Sequence, residues 1–514
     1  MNSGSQIAKN TSYLYFRMIL TMCIGLYTSR IVLQTLGVVD FGIYSVVGGL
    51  VAMFDFINGS MQSGSLRYIT FAIGRNECCD VRKAFTASVF IHWGVAFLII
   101  LLAETVGLWF FWHKMVIPEA RVSAAFWVYQ CSIVSACIMI VSVPYNVMII
   151  AQEKMSAFAY FSIVEVLLKL LIVYALYLVA FDKLIVYGIL TVFVQLFIRQ
   201  CYALYCKKHF SHQIRILFPL DRELVKEMVQ FSSWSLNGSL ALVASTQGIN
   251  LLLNMFFGPV VNAARGIAVQ VQSKVVSFCN NFQMAVNPQI TKSYAQLDFS
   301  KMHRLIVISS KLSFFLMLIL SLPVIVCISP ILHLWLGVVP DDTEEFVVIM
   351  LFCSLIRVMA NPLFASISAT GDIKRFQLWE GTTLLMVLPL AYMALRFFRV
   401  SPVVVILIYL AIEIIAQCIR IAIILPRIGM SVRYYLSEIC LRLLAVTFLA
   451  ALIPLLMKTL FAASGNFLEL LVYIPVSAIS ALMASWVVGC NSDEKRLIRE
   501  YLVKFTDRVG IRKL

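Results

Sequence analysis

The residues of this chain that could do chemistry are a small set of charges set inside long apolar runs. Arg30, Asp55 and Arg67 fall in the first two runs, together with Arg17 near the start. Arg265 and Lys274 fall in a corresponding pair past the middle of the chain, and Arg357, Glu380, Glu413 and Arg420 come later. A charge inside hydrocarbon costs at least about 2.5–3.5 kcal/mol on insertion scales, and it persists where it faces water or a partner. Cations outnumber anions in this set. An arginine fork matches phosphate oxygens bidentately, while a lysine acts as a point charge. The set therefore suits an anionic substrate, and a diphosphate is the obvious membrane-associated one. Arg30, Arg67, Arg265, Lys274 and Arg357 are the candidate substrate-binding cations. Asp55, Glu380 and Glu413 are the candidate charge-pairing or coupling groups, able to carry H+ or Na+. Glu165 and Lys169 sit four apart and are expected to neutralise each other on one helix face.

Other chemistries lack their residues. There is no phosphate-binding glycine loop, no nucleophile elbow and no Cys/His spacing of a zinc site. His92 and His333 are isolated, and neither an enzyme activity nor a bound cofactor is expected. The thirteen cysteines fall mostly inside apolar runs, where they behave as small buried apolar residues rather than a disulfide framework. Matches to Asn-X-Ser/Thr at Asn10, Asn58 and Asn237 fall in or beside expected helices and carry no glycosylation meaning.

The elements that must position these charges are transmembrane helices. Apolar residues make up 61% of the 514 positions and charged residues 13%, against about a quarter charged in soluble domains. The segment 312–328 contains no charge at all. The runs are long and do not alternate, which excludes the roughly ten-residue spans of a membrane barrel. About twenty apolar residues cross a bilayer core, so the runs predict an all-α membrane protein of about fourteen helices. The expected spans are 8–35, 40–73, 84–110, 120–151, 155–180, 183–206, 224–257, 260–293, 304–328, 345–368, 375–397, 402–426, 435–460 and 467–490. The opening residues lack a basic n-region, and 7–37 is too long for the apolar part of a signal peptide, so the first helix is expected to stay.

Lys and Arg set the orientation. With the N-terminus inside, segments such as 75–83, 207–226, 292–304 and 495–513 hold most of the loop cations. The opposite loops hold Lys114, Arg121, Lys183, Arg396, Arg399 and Lys458. The bias is about four to one, as the positive-inside rule requires. It accounts for the +15 net charge without nucleic acid. The basic tail 491–514 reads as a solvated segment touching anionic lipid.

An internal repeat organises the helices. Thr11-Ser12-Tyr13 aligns with Ser232-Ser233-Trp234, Gly37-Val38-Val39 with Gly258-Pro259-Val260, and Ile69-Thr70 with Ile290-Thr291, all at one offset of 221 residues. Six helices per half gives both halves the same topology, related by an axis along the membrane normal. The expected organisation is an N-terminal six-helix lobe over 1–206, a cytoplasmic connection over 207–226 and a second six-helix lobe over 227–427. Two further helices over 428–490 and the basic tail 491–514 follow. The candidate charges are expected to line a cavity between the lobes.

These residues resemble a known group. Ala8-Lys9-Asn10-Thr11, Arg30-Ile31-Val32-Leu33 and Leu36-Gly37-Val38-Val39-Asp40-Phe41-Gly42-Ile43-Tyr44, followed by Asn58-Gly59-Ser60 and Arg67-Tyr68, are similar to the opening of bacterial polysaccharide flippases. Those flippases belong to the multidrug/oligosaccharidyl-lipid/polysaccharide exporter superfamily. The resemblance implies a flippase of the bacterial inner membrane that works by alternating access without ATP hydrolysis. It would move undecaprenyl-diphosphate-linked oligosaccharide for O-antigen, lipopolysaccharide or related surface polysaccharide. It implies as partners the lipid-linked oligosaccharide, membrane lipids and polysaccharide polymerase machinery. Two alternatives stay open: a cation-coupled multidrug antiporter of the same superfamily, disfavoured by the excess of intramembrane cations, and a polysaccharide polymerase or ligase, disfavoured by the short outer loops.

The charge bias generates a topology test. Cysteines placed in 207–226 and in 491–514 should react with membrane-impermeant reagent only after the inner membrane is opened. Cysteines at 336–345 should react in intact spheroplasts. Periplasmic labelling of 207–226 would overturn the fourteen-helix map.

Overall fold

The computed structural model describes residues 3–52, 55–75, 78–114, 117–257, 259–336, 339–460, 467–492 and 494–496. The described residues are almost entirely helical and contain no strand. In chain order the helices are α1 (Ser3–Ala52), α2 (Asp55–Gly74), α3 (Cys78–Leu102), α4 (Leu108–Lys114), α5 (Val122–Ala151), α6 (Met155–Ala175) and α7 (Lys183–His209). Then come α8 (Arg222–Phe257), α9 (Pro259–Ala295), α10 (Phe299–Val326), α11 (Ile328–Leu336) and α12 (Thr343–Thr370). The last are α13 (Lys374–Leu385), α14 (Val387–Phe398), α15 (Pro402–Arg427), α16 (Val432–Tyr435), α17 (Arg442–Leu460) and α18 (Phe467–Ala484).

Eleven of these stretches, counting α13 with α14 and α16 with α17, are long and apolar enough to cross a membrane among the described residues. They coincide with eleven of the expected spans. The other three expected spans are 8–35, 40–73 and 260–293. The last corresponds to α9, whose Arg265, Gln270, Gln272, Lys274, Asn280, Asn281, Gln283, Asn287 and Gln289 make it too polar to register as a span. The expected turn at Gly37–Asp40 is not a break. α1 runs through it for 50 residues, about 75 Å at 1.5 Å per residue, more than twice the roughly 30 Å hydrocarbon thickness. In the second half α8 is described to Phe257 and α9 from Pro259, a residue that lacks an N–H and suits the first position of a helix. The first half has Val38 at the matching place and nothing that forbids the helix from continuing.

The chain forms two compact units, one of Lys9–Leu236 and the other of Met1–Ala8 with Asn237–Leu514. The division falls inside α8. In the N-terminal unit, Ile69, Phe85, Val147, Met148, Val173, Ile198 and Tyr202 pack into one apolar core. Gly64 lets α2 approach α8 closely, since a Cβ there would collide with the Ser232 hydroxyl.

The C-terminal unit is tied by amides as well as by apolar packing. Gln283 of α9 donates to Ser313 Oγ (3.0 Å) and to the Val358 carbonyl (2.8 Å), and its Oε1 accepts from Asn361 Nδ2 (2.6 Å). Gln272 of the same helix donates to Ser354 Oγ at 2.7 Å. Lipid supplies no hydrophobic drive for helix association, so interhelical hydrogen bonds and close packing must hold α9 against α10 and α12.

The two final spans attach through a buried lysine. Lys311 of α10 is 1% exposed, and its Nζ donates to both Glu494 oxygens (3.1 and 3.2 Å) and lies 3.7 Å from Glu438. Glu438 is held in turn by Arg442 (2.9 Å) and Asn491 (2.9 Å). Ser480 Oγ of α18 donates to the Ala450 carbonyl of α17 at 2.8 Å, locking the pair together. Removing one member of a buried ion pair costs about 3–5 kcal/mol. Lys311→Met should fall near the low end, roughly 3 kcal/mol, because Arg442 and Asn491 still serve Glu438. A thermal melt in detergent and protease sensitivity after residue 490 would report it. A melting temperature equal to wild type would remove the anchoring role.

Candidate functional site

The intramembrane charges of the C-terminal unit converge on one stripe of α15. Tyr409, Glu413, Gln417 and Arg420 recur at intervals of four, four and three, so they share a helix face, and all four are buried. Arg420 is 2% exposed. Its Nε donates to Glu380 Oε1 of α13 (2.7 Å), and its Nη1 donates to Glu413 Oε1 (2.8 Å) and Gln417 Oε1 (3.3 Å). Nη2 stands 2.6 Å from Glu380. Every face of this guanidinium is occupied. Glu380 and Glu413, two of the expected coupling carboxylates, are thus both held by one arginine.

Arg357 of α12 approaches the same stripe from the other side. Its Nη1 donates to the Tyr409 hydroxyl at 3.5 Å, and its charge is close enough to act on Glu413. Arg265 of α9 is 4% exposed, donates through Nη1 to Asn250 Oδ1 of α8, and lies within electrostatic range of Tyr409. The unit therefore gathers Arg265, Arg357, Glu380 and Glu413 from the sequence expectation and adds Arg420 and Tyr409. Lys274 is exposed and has no ion-pair partner among the described residues. It lies with exposed Gly266, Gln270, Ser273 and Asn280 along one side of α9. Such a polar strip is costly against acyl chains and cheap against water.

In the N-terminal unit, Arg67 is half-buried and its guanidinium lies over the rings of Tyr68 (4.2 Å), Phe71 (5.4 Å) and Phe231 (5.5 Å). Arg17 stacks over Phe158 at 4.7 Å and reaches Ser162 Oγ at 3.4 Å. Glu165 and Lys169 pair at 2.7 Å, with Gln195 donating to the same carboxylate at 3.1 Å. The side chains of Arg30 and Asp55 lie outside the described residues.

One charged cluster had no place in the sequence expectation. Asp40, inside the Leu36–Tyr44 motif, is gripped by Arg121 through Nε (2.8 Å) and Nη2. Arg121 also donates to Asp182 at 2.5 Å and 3.2 Å. Asp182 caps α7 by accepting from the amides of Leu184 (3.0 Å) and Ile185 (3.4 Å). One guanidinium thereby ties α1, the start of α5 and the start of α7. The signal available in the sequence was an acid at a helix N-cap position; its pairing with a residue 61 positions away was not.

Among the described residues no group of His, Cys, Asp and Glu could hold a metal ion. Several solved structures share the fold. An outward-facing multidrug resistance MATE family transporter of the MOP superfamily superposes with a TM-score of 0.72 over 84% of this chain and 96% of its own, at 13% identity. MATE in its bent conformation gives 0.71 over 84% and 98%, at 12% identity. A MOP-superfamily transporter from Pyrococcus furiosus, described as having a binding pocket of reversed polarity, gives 0.66 over 84% and 96%, at 12% identity. No curated protein sequence matches the chain. The fold is that of MOP-superfamily transporters, and the apolar helices make this a multi-pass membrane protein. The MatE sequence profile matches residues 238–393. The profile of a family described as polysaccharide biosynthesis protein matches residues 7–294, more than half the chain, and the chain belongs to that family.

The Arg121 cluster carries a pH test. Burial pushes the Asp182 carboxyl up, but the Arg121 guanidinium and the amides of Leu184 and Ile185 outweigh it, and the group titrates below the usual carboxylate range. A depressed native pKa contributes stability that is present above the unfolded value, about 3.9, and is lost as pH falls through the native one. Melting temperature should therefore drop more steeply below pH 4 in wild type than in Asp182→Asn. Identical slopes would show that the pair adds no pH-dependent stability.

Proposed function

We propose that the chain flips a diphosphate-linked lipid oligosaccharide across the bacterial inner membrane for surface polysaccharide synthesis. The observation that supports this most is the division of charge in the C-terminal unit. Arg420 pairs with both carboxylates, and Arg265, Arg357 and Lys274 form no ion pair among the described residues. A site with unmatched cations favours an anion and repels the organic cations that a multidrug antiporter exports. Membership in the polysaccharide biosynthesis family points the same way.

On this reading a headgroup of sugar and diphosphate, which hydrocarbon excludes, is solvated by the polar strip of α9 and the guanidinia beside it. The isoprenoid tail stays in lipid. Arg67, backed by three aromatic rings, is a further headgroup contact, and Arg30 and Asp55 complete the set. Both termini are cytoplasmic, as the Lys and Arg distribution requires. H+ or Na+ resets the cycle, and the polymerase that consumes the product is the natural neighbour.

A glycan-deficient strain carrying each variant would test the reading. Arg357→Ala and Lys274→Ala should cut surface glycan about tenfold or more, since a hydrogen bond to a charged group is worth about 1.5–3 kcal/mol. Protein level and drug susceptibility should stay unchanged. Full glycan display at normal protein level would sink the reading. A gain in susceptibility to cationic drugs with glycan intact would favour the antiporter.

A further inference from the structure

The two arginines beside Glu413 are not equivalent. Arg420 is buried and engaged on all three nitrogens by Glu380, Glu413 and Gln417. Arg357 is only half-buried, and its contact to the Tyr409 hydroxyl is 3.5 Å long, at the edge of a useful hydrogen bond. Glu413 shows the complementary asymmetry. Its Oε1 accepts from Arg420 at 2.8 Å, while its Oε2 is buried and accepts from no described group. A buried acceptor left without a donor is unfavourable, more so for a charged group. The other cation whose charge acts on Glu413 is Arg357, which contacts Tyr409. Tyr409 stands one helical turn before Glu413 on the same face of α15.

We propose that Arg357 is an exchangeable cation. With no substrate bound it moves onto Glu413 Oε2; with a phosphate bound it swings to the ligand, and the Tyr409 hydroxyl is the positioning group that holds it between the two. The inference rests on the anionic-substrate reading above and deepens it. Glu413 becomes an internal stand-in for phosphate, competing for the same guanidinium. It offsets the Arg357 charge while the site is empty, and it helps the loaded site let go. Arg420, held by Glu380, Glu413 and Gln417, is not free to make this exchange.

The competition predicts a sign that a structural role would not. Glu413→Gln removes the competitor and should tighten anion binding, although the wild-type carboxylate makes a buried ion pair. Farnesyl diphosphate is the probe, titrated calorimetrically into the purified protein in detergent, with farnesol as the uncharged control. Glu413→Gln should bind farnesyl diphosphate about threefold to tenfold more tightly than wild type, while its rate of glycan export falls because release slows. Tyr409→Phe should weaken binding by a similar factor, and Arg357→Lys should retain part of the affinity because the fork is lost. Equal or weaker binding by Glu413→Gln at a wild-type melting temperature would overturn the exchange. Should that variant fail to fold, Tyr409→Phe removes a single hydroxyl, and unchanged affinity there overturns the proposal by itself. Wild type that binds farnesyl diphosphate no better than farnesol would instead overturn the anionic-substrate reading, and the exchange with it.

Discussion

A charge taken out of water must meet a partner, and Arg420 meets two. Its guanidinium joins α13 and α15 by holding Glu380 and Glu413 together. Two carboxylates buried side by side would repel each other and shift toward their neutral forms. One arginine between them removes that pressure. Because Arg420 pairs with both acids, neither forms an ion pair with Arg265, Arg357 or Lys274 among the described residues. The proposed role of the site as an anion receptor rests on that single allocation. Its loosest member, Arg357, is loose because the strongest acceptor nearby is already half spent on Arg420.

The same physics separates anchors from working charges elsewhere. Lys311 is enclosed by Glu438 and Glu494, and Arg121 by Asp40 and Asp182. Each stands between helices far apart in sequence, and each has its charge matched. Such groups add geometry rather than chemistry: breaking one leaves an uncompensated ion in a poor solvent. Lys274, Arg357 and Arg265 form no ion pair among the described residues, and the Arg67 guanidinium lies over the rings of Tyr68, Phe71 and Phe231, a placement in which an aromatic face attracts a cation.

The relatives of known structure share the fold at low identity. A fold of this kind is a scaffold of spans whose function lies in the side chains grafted on it. The polar strip of α9 illustrates the point. The helix is too hydrophilic to register as a span, yet Gln283 and Gln272 bind it to α10 and α12 through their amides. Another side of the helix exposes Gly266, Gln270, Ser273, Lys274 and Asn280.

Most of the helices were legible in the residues alone. A membrane helix satisfies its own backbone hydrogen bonds within one segment, so apolar length determines it locally, and eleven expected spans reappear. The Glu165–Lys169 pair was legible for the same reason, since four residues of helix place both on one face. The helix runs on past Gly37 because a glycine permits a turn without requiring one. The charges to be examined were also evident from their cost: Arg265, Arg357, Glu380 and Glu413 all belong to one network. Which charge meets which was decided only by the tertiary structure. Arg420 finds Glu380 across 40 residues, Arg121 finds Asp40 across 81, and Lys311 finds Glu494 across 183. No local spacing encodes such pairs, because they exist only once the helices have packed. That packing set Glu413 and Glu380 on one arginine and placed Arg357 against Tyr409.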